Sequence, residues 1–161
     1  MRYRFARLIT ILAMLAAMSS LAVAPVGAAA DRATVVYRLA LSGAEEVCAP
    51  ATPPVCGGAG TGEAILIVNP NNDRVCLLAR WRDVEGTVVA AHIHEAPDGV
   101  AGPVVVPLFP AGTQLSGDDM TRVCVDGLGL TDDINAEPAE YYVNIHSTTF
   151  PAGALRAQLG S

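Results

Sequence analysis

Lysine is absent from this sequence: all ten of its basic residues are arginine, and nothing about activity follows from that alone. Histidine is scarce at three residues, and tryptophan occurs once. Beyond residue 30 no long apolar run occurs, so no later segment offers the roughly 20 predominantly apolar residues of a spanning helix. No segment holds a helical period for three turns, which points away from a helical core. The sequence has no G-x-S-x-G elbow, H-E-x-x-H helix, phosphate-binding glycine loop or dinucleotide fingerprint, leaving the corresponding enzyme templates without support. Residues 57–62 are glycine-rich, yet no helix follows to offer its N-terminus to a phosphate, and the stretch reads as a flexible lead into a strand. Glu45-Glu46 reads as a solvated bend, because neighbours on an extended chain diverge and make a poor acid–base pair.

What is present begins with the pattern of an export signal. Arg2, Arg4 and Arg7 precede an apolar stretch from Leu8 to Val23, and Ala28-Ala29-Ala30 places small residues where a signal peptidase reads. Cleavage is expected after Ala30. The competing reading, a membrane anchor, is weakened by Ser19, Ser20, Pro25 and Gly27 within or beside the run. No cysteine stands at or just after the cut to carry a lipid. The expected product is a secreted or extracytoplasmic domain spanning residues 31–161, a length that suits one core. It carries seven arginines against sixteen acidic residues, a formal charge of −9. Nucleic acid and anionic membrane surfaces are therefore disfavoured as partners.

Cys48, Cys56, Cys76 and Cys124 all follow the signal, and an even count in an exported domain reads first as two disulfides. The short, proline-rich segment between Cys48 and Cys56 lets its ends meet, which leaves Cys76 for Cys124. Each of the latter two shares the parity of the charged residues in its strand, so both thiols are expected on the same outer sheet face. A metal–thiolate site is the alternative, although no C-x-x-C spacing supports it.

The chain after residue 30 reads as short β runs separated by Gly, Pro, Asn and Asp clusters. Strands are expected at Thr34–Leu41, Glu63–Val68, 74–82, Val88–Glu95, Pro103–Phe109, Thr121–Val125, Tyr141–Ser147 and Ala154–Leu159, with a turn at 69–73. Loops are expected at 110–120 and 127–140, the latter with room for one helical turn at 131–136. The fold class is all-β: a Greek-key β-sandwich or flattened barrel of seven or eight strands, preceded by the cleaved signal helix. Val35, Leu39, Leu66, Val75, Leu77, Trp81, Ile93, Val143, Ile145 and Leu155 are the expected core.

The three histidines are the most informative feature. His92 and His94 stand two apart in a strand and project from one face, while Ala91 and Ile93 project from the other. His146 has the same outward parity beside Val143 and Ile145. If the two strands are neighbours, three imidazoles converge. Such a set suits Cu(II) or Zn(II) and leaves a position open for water or substrate. At least one nitrogen of each ring would then lie within about 4 Å of the others. The bland alternative is a surface strand whose histidines make ordinary hydrogen bonds, with His146 elsewhere. Glu95 and Asp98 follow closely as potential oxygen ligands or hydrogen-bond acceptors to the imidazoles. Asn144 and Arg156 share the outward parity across a hairpin, where Arg156 would either orient an anion beside a metal or stand as an exposed charge that discourages edge pairing.

Taken in order, Leu41-Ser42-Gly43-Ala44-Glu45-Glu46-Val47, then Ala90-Ala91-His92-Ile93-His94 with Gly102-Pro103-Val104-Val105, then Tyr142-Val143-Asn144-Ile145-His146 with Pro151 to Leu159, resemble the chordin-type CHRD domain. The resemblance spans nearly all of the chain beyond the signal and implies a secreted β-sandwich-like domain. Two departures stand out: Cys48 and Cys56 bracket a proline-rich insertion, and Gly153-Ala154-Leu155-Arg156-Ala157 replaces the usual Gly-Glu-Ile-Arg-Gly. The growth-factor-binding modules that accompany this domain in chordins are absent, so that role does not carry across. A weaker likeness is to copper-zinc superoxide dismutase, whose H-x-H strand and later strand histidine match His92, His94 and His146 in order. Val104 stands where the metal-bridging histidine would be, and no zinc-ligand cluster follows.

The leading expectation is a non-enzymatic exported domain binding one metal ion, copper before zinc, through His92, His94 and His146. A dismutase-like redox enzyme at the same ion is the second reading. A structural or adhesive cell-surface domain, with an extracellular protein or cell-envelope component as partner, is the third.

Overall fold

The period-2 alternation of the sequence becomes one antiparallel sheet of eight strands. The structure, a computed structural model, describes residues 32–48, 55–109 and 121–161. The expected signal at 1–30, the proline-rich insertion at 49–54 and the loop at 110–120 lie outside the described residues. The strands are β1 (Val35–Ser42), β2 (Thr61–Asn69), β3 (Arg74–Arg82), β4 (Val88–Glu95), β5 (Val104–Phe109), β6 (Thr121–Asp126), β7 (Tyr141–Ser147) and β8 (Leu155–Gln158). The expected helical turn is present as α1 (Thr131–Ala136). β2 begins two residues earlier than its composition suggests, because Thr61 and Gly62 already pair with Arg82 and Trp81.

The spatial order is β5-β4-β7-β8-β1-β2-β3-β6. β8 and β1 meet through the single pair Ser42 and Arg156, so this seam divides the sheet into two four-stranded halves. β5 and β6 approach one another on the far side, and the sheet nearly closes into a flattened barrel. Between the halves lie Leu66, Val68, Val75 and Leu77 from one side and Ile93, Val106, Leu108, Val143, Ile145 and Leu155 from the other. Each large aliphatic side chain withdrawn from water here contributes about 1.5–3 kcal/mol. Nine of the ten expected core residues are buried; Val35, at the start of β1, is half-buried.

Polar contacts hold one end of the barrel. Asp73, at φ 47° in the β2–β3 turn, accepts from the Gly129 amide at 2.8 Å and the Thr131 hydroxyl at 2.9 Å. These bonds tie the segment before α1 to the turn, and Ile134 of α1 is fully buried against the core. Both expected disulfides form: Cys48 to Cys56 with Cα atoms 5.6 Å apart, and Cys76 to Cys124 at 4.0 Å, bridging directly paired residues of β3 and β6. All four thiols are consumed, which removes the metal–thiolate alternative. Among the described residues, no helix is long and apolar enough to cross a membrane.

Candidate metal centre

Hydrophobic anchoring decides where the histidines go. Ala91 and Ile93 of β4, and Val143 and Ile145 of β7, are fully withdrawn into the core, so alternation turns His92, His94, Asn144 and His146 to the opposite face. β4 pairs with β7 in a register that sets His92 opposite Asn144, His94 opposite Tyr142 and His146 opposite Ala90. His146 is therefore a diagonal neighbour of His92, and their ring centroids are 4.7 Å apart. His94 completes the group at 5.7 Å from His92 and 6.0 Å from His146. One nitrogen from each ring lies within 4.8 Å of the others, slightly looser than the 4 Å or so set by the sequence argument.

This outer face is covered, so the outward parity of the three imidazoles does not leave them facing solvent. Residues 95–103 fold back over it, and every residue of β7 and β8 is buried. His94 and His146 are each only 9% exposed, and His92 is half-buried. His94 Nδ1 lies 2.9 Å from the Gly102 carbonyl, and His146 Nδ1 lies 3.0 Å from the Pro151 carbonyl. A carbonyl only accepts, so both Nδ1 atoms carry the proton and both Nε2 atoms present lone pairs. His146 Nε2 then accepts from His92 Nδ1 at 2.9 Å. His94 Nε2 is buried and has no hydrogen-bond partner among the described residues.

Burial holds all three rings neutral. His92 is pushed down to about 4, by desolvation first and then by the neighbouring His146 and His94. Desolvation also lowers His94 and His146, against an opposing bond to a carbonyl in each case. Neutral imidazole is the metal-binding form, so near neutral pH these rings need shed no extra proton to become ligands.

The remaining expected site residues divide. Glu95 and Asp98 are exposed and lie outside the histidine group; the Asp98 carboxylate accepts from the Gly99 amide in its own loop. Asn144 is buried and donates to Glu46. Arg156 is not an exposed strand charge. It is 1% exposed on β8, a strand flanked on both sides. Its guanidinium donates to the carbonyls of Val100 (2.8 Å) and Pro97 (3.1 Å) and to Gln158 Oε1 (2.9 Å), with its carbon 3.6 Å from the Tyr142 ring centroid. Those donors hold residues 97–100 against the sheet, while the buried Nε has no hydrogen-bond partner among the described residues.

The sequence reading does not assign three contributors to this site. Tyr142 stacks on His94 with centroids 4.8 Å apart and accepts from the Gly102 amide at 3.1 Å. Gly102 is held on both sides, since its carbonyl receives the His94 proton. Glu46 is half-buried rather than solvated; desolvation pushes its carboxyl up to about 7, against the lowering effects of Arg156 and the Asn144 bond. The available signal was the run Tyr142, Asn144, His146 at alternate positions, joined by Arg156 and Gln158, an outer face too polar and too aromatic for simple solvation.

A family model for the CHRD domain matches residues 37–159. The chain belongs to the CHRD domain family. No curated protein and no solved structure matches it. The match runs from β1 to just past β8, so all three histidines, both strands that carry them and the covering loop lie inside the CHRD domain.

Proposed function

We propose that this CHRD domain is exported, with cleavage after Ala30, and that it binds one metal ion, copper before zinc, through His92, His94 and His146. The observation that carries the reading is the tautomer pattern. Two backbone carbonyls fix Nδ1–H on His94 and His146, leaving two Nε2 lone pairs beside His92, one of them buried without a partner. An orphaned buried acceptor costs about 1–3 kcal/mol unless something satisfies it, and a cation does so. The proton on His92 Nδ1 can move to Nε2, which frees the third donor without adding charge to the site.

Metal–nitrogen bonds of about 2.0–2.1 Å bring tetrahedral donors to roughly 3.3 Å of one another, so the rings draw together on binding. Copper is favoured because imidazole sites bind Cu(II) most tightly in the divalent series. A bound copper ion would supply a redox-active centre. The residues themselves hold neutral imidazoles in place and, through residues 95–103, limit water. Two disulfides are consistent with an oxidising compartment outside the cytoplasm.

Calorimetric titration of the disulfide-intact domain with Cu(II) and Zn(II) tests this. One ion per domain is expected, with tighter binding of copper, and His94→Ala or His146→Ala should abolish tight binding. No saturable binding, or a His92→Ala/His94→Ala variant that binds Cu(II) as the parent does, overturns the proposal and leaves a structural domain. A superoxide dismutation assay on the copper-loaded protein then separates binding alone from redox catalysis.

A further inference from the structure

The outer face of the other half-sheet has a composition unlike the rest of the domain. Residues of β1, β2, β3 and β6 whose alternation turns them away from the core form successive rows across the strands. One row is Arg38, Ile65, Leu78 and Arg122; the next toward the turn is Val36, Ile67, Cys76 and Cys124. Arg74, Arg80 and Arg82 share the face. Five of the seven arginines beyond residue 30 thus stand on one face, where Glu63 and Asp126 are the only acids among the described strand residues. Of the five, Arg80 pairs with Glu63, and Arg38, Arg82 and Arg122 make no ion pair among the described residues.

The middle of the face is apolar and, among the described residues, uncovered. Val36 is 51% exposed, Ile65, Ile67 and Leu78 are half-buried, and a depression of about 460 Å³ lies over Arg38, Ala40, Ile65 and Leu78, with the Arg80–Glu63 pair at its edge. Strands spaced about 4.8 Å apart put Arg38 and Arg122 roughly 14 Å apart, with two aliphatic side chains between them. In an extended peptide, residues i and i+4 lie on one face about 14 Å apart with i+2 between them.

We propose that this face is a docking surface for an extended acidic segment of a partner protein, one that alternates carboxylate and aliphatic side chains along one edge. Carboxylates at i and i+4 meet the forked guanidinium groups of Arg38 and Arg122, and the aliphatic side chain at i+2 covers Ile65 and Leu78. The apolar floor argues against a bare polyanion, which would leave it wet. The large negative charge on the rest of the domain argues against an anionic bilayer. The inference stands apart from the metal reading, since the histidines lie on the other half-sheet.

Fluorescence anisotropy with a labelled peptide repeating Glu-Thr-Leu-Thr tests it, using the whole disulfide-intact domain. Saturable binding is expected, weakened at least about tenfold when Arg38→Glu and Arg122→Glu are combined, or when the peptide leucines become serine. Near-ultraviolet circular dichroism and melting of the double variant establish that it is folded. Absence of saturable binding, equal binding of polyglutamate or a sulfated polysaccharide, or preferential binding to phosphatidylserine vesicles overturns the proposal.

Discussion

Replacing Gly102 by alanine probes how residues 95–103 set the histidines. A Cβ at this position would stand 2.7 Å from the Glu95 carbonyl carbon and 2.8 Å from the Ala96 Cβ, neither of them the yielding end of a flexible side chain. The loop must lift. Forced overpacking costs about 1–3 kcal/mol. Lifting also weakens the bonds from the Gly102 amide to Tyr142 and from His94 to the Gly102 carbonyl, at about 1 kcal/mol each. A total of about 3–5 kcal/mol corresponds to a melting temperature roughly 10–18 °C lower for a domain of this size. Loss of the carbonyl that orients His94 should also reduce Cu(II) affinity by about 10–100-fold. Gly99→Ala in the same loop is the contrast. Its φ of 73° makes alanine cost about 1–2 kcal/mol, but nothing lies within 4 Å of a Cβ there, and metal affinity should be unchanged. Differential scanning calorimetry and copper titration read both variants. A Gly102→Ala protein that melts with the parent refutes the steric account, and one that melts early yet binds copper normally refutes the positioning of His94.

Opposed titrations should shape the pH dependence of the unliganded domain. Glu46, raised to about 7, contributes stability that is fully present below its ordinary 4.5 and is lost as pH rises through 7. His92, lowered to about 4, contributes stability that is present above its ordinary 6.5 and is lost as pH falls toward 4. Glu46→Gln should therefore stabilise the domain by about 1–2 kcal/mol at pH 8, allowing for screening of the partly exposed carboxylate, and change little at pH 4. Urea midpoints at the two pH values check this, and equal midpoints for variant and parent at pH 8 would contradict it. Arg156→Lys should cost about 2–3 kcal/mol despite keeping the charge, because an ammonium cannot reproduce the fork onto Val100, Pro97 and Gln158 while lying over Tyr142. Hydrogen exchange at the Val100 and Gly102 amides should quicken in that variant; parental stability and protection would show that the guanidinium is not what fastens the loop.

Strand positions, the hairpin turn at 69–73, both disulfide pairings and the convergence of His92, His94 and His146 were legible in the sequence. Each depends on local chemistry or on a period of two. Pro, Asn and Asp punctuate the runs, and alternation assigns every side chain to a face without reference to distant residues. Parity alone placed Cys76 and Cys124 on a shared outer face and set three imidazoles on matching sides of their strands. It could say which face, but not what lies over that face. Only the tertiary structure decided that residues 95–103 fold across β7 and β8, burying Arg156, and that Glu46, which the sequence read as solvated, lies against Asn144 and Gly153, where desolvation raises its pKa. It likewise decided which imidazole nitrogens keep their protons, because the carbonyls of Gly102 and Pro151 come from loops whose path no periodicity encodes. Loop paths are set by the sum of long-range contacts, and a carbonyl acceptor carries no side-chain signature, so these choices are invisible until the chain is folded.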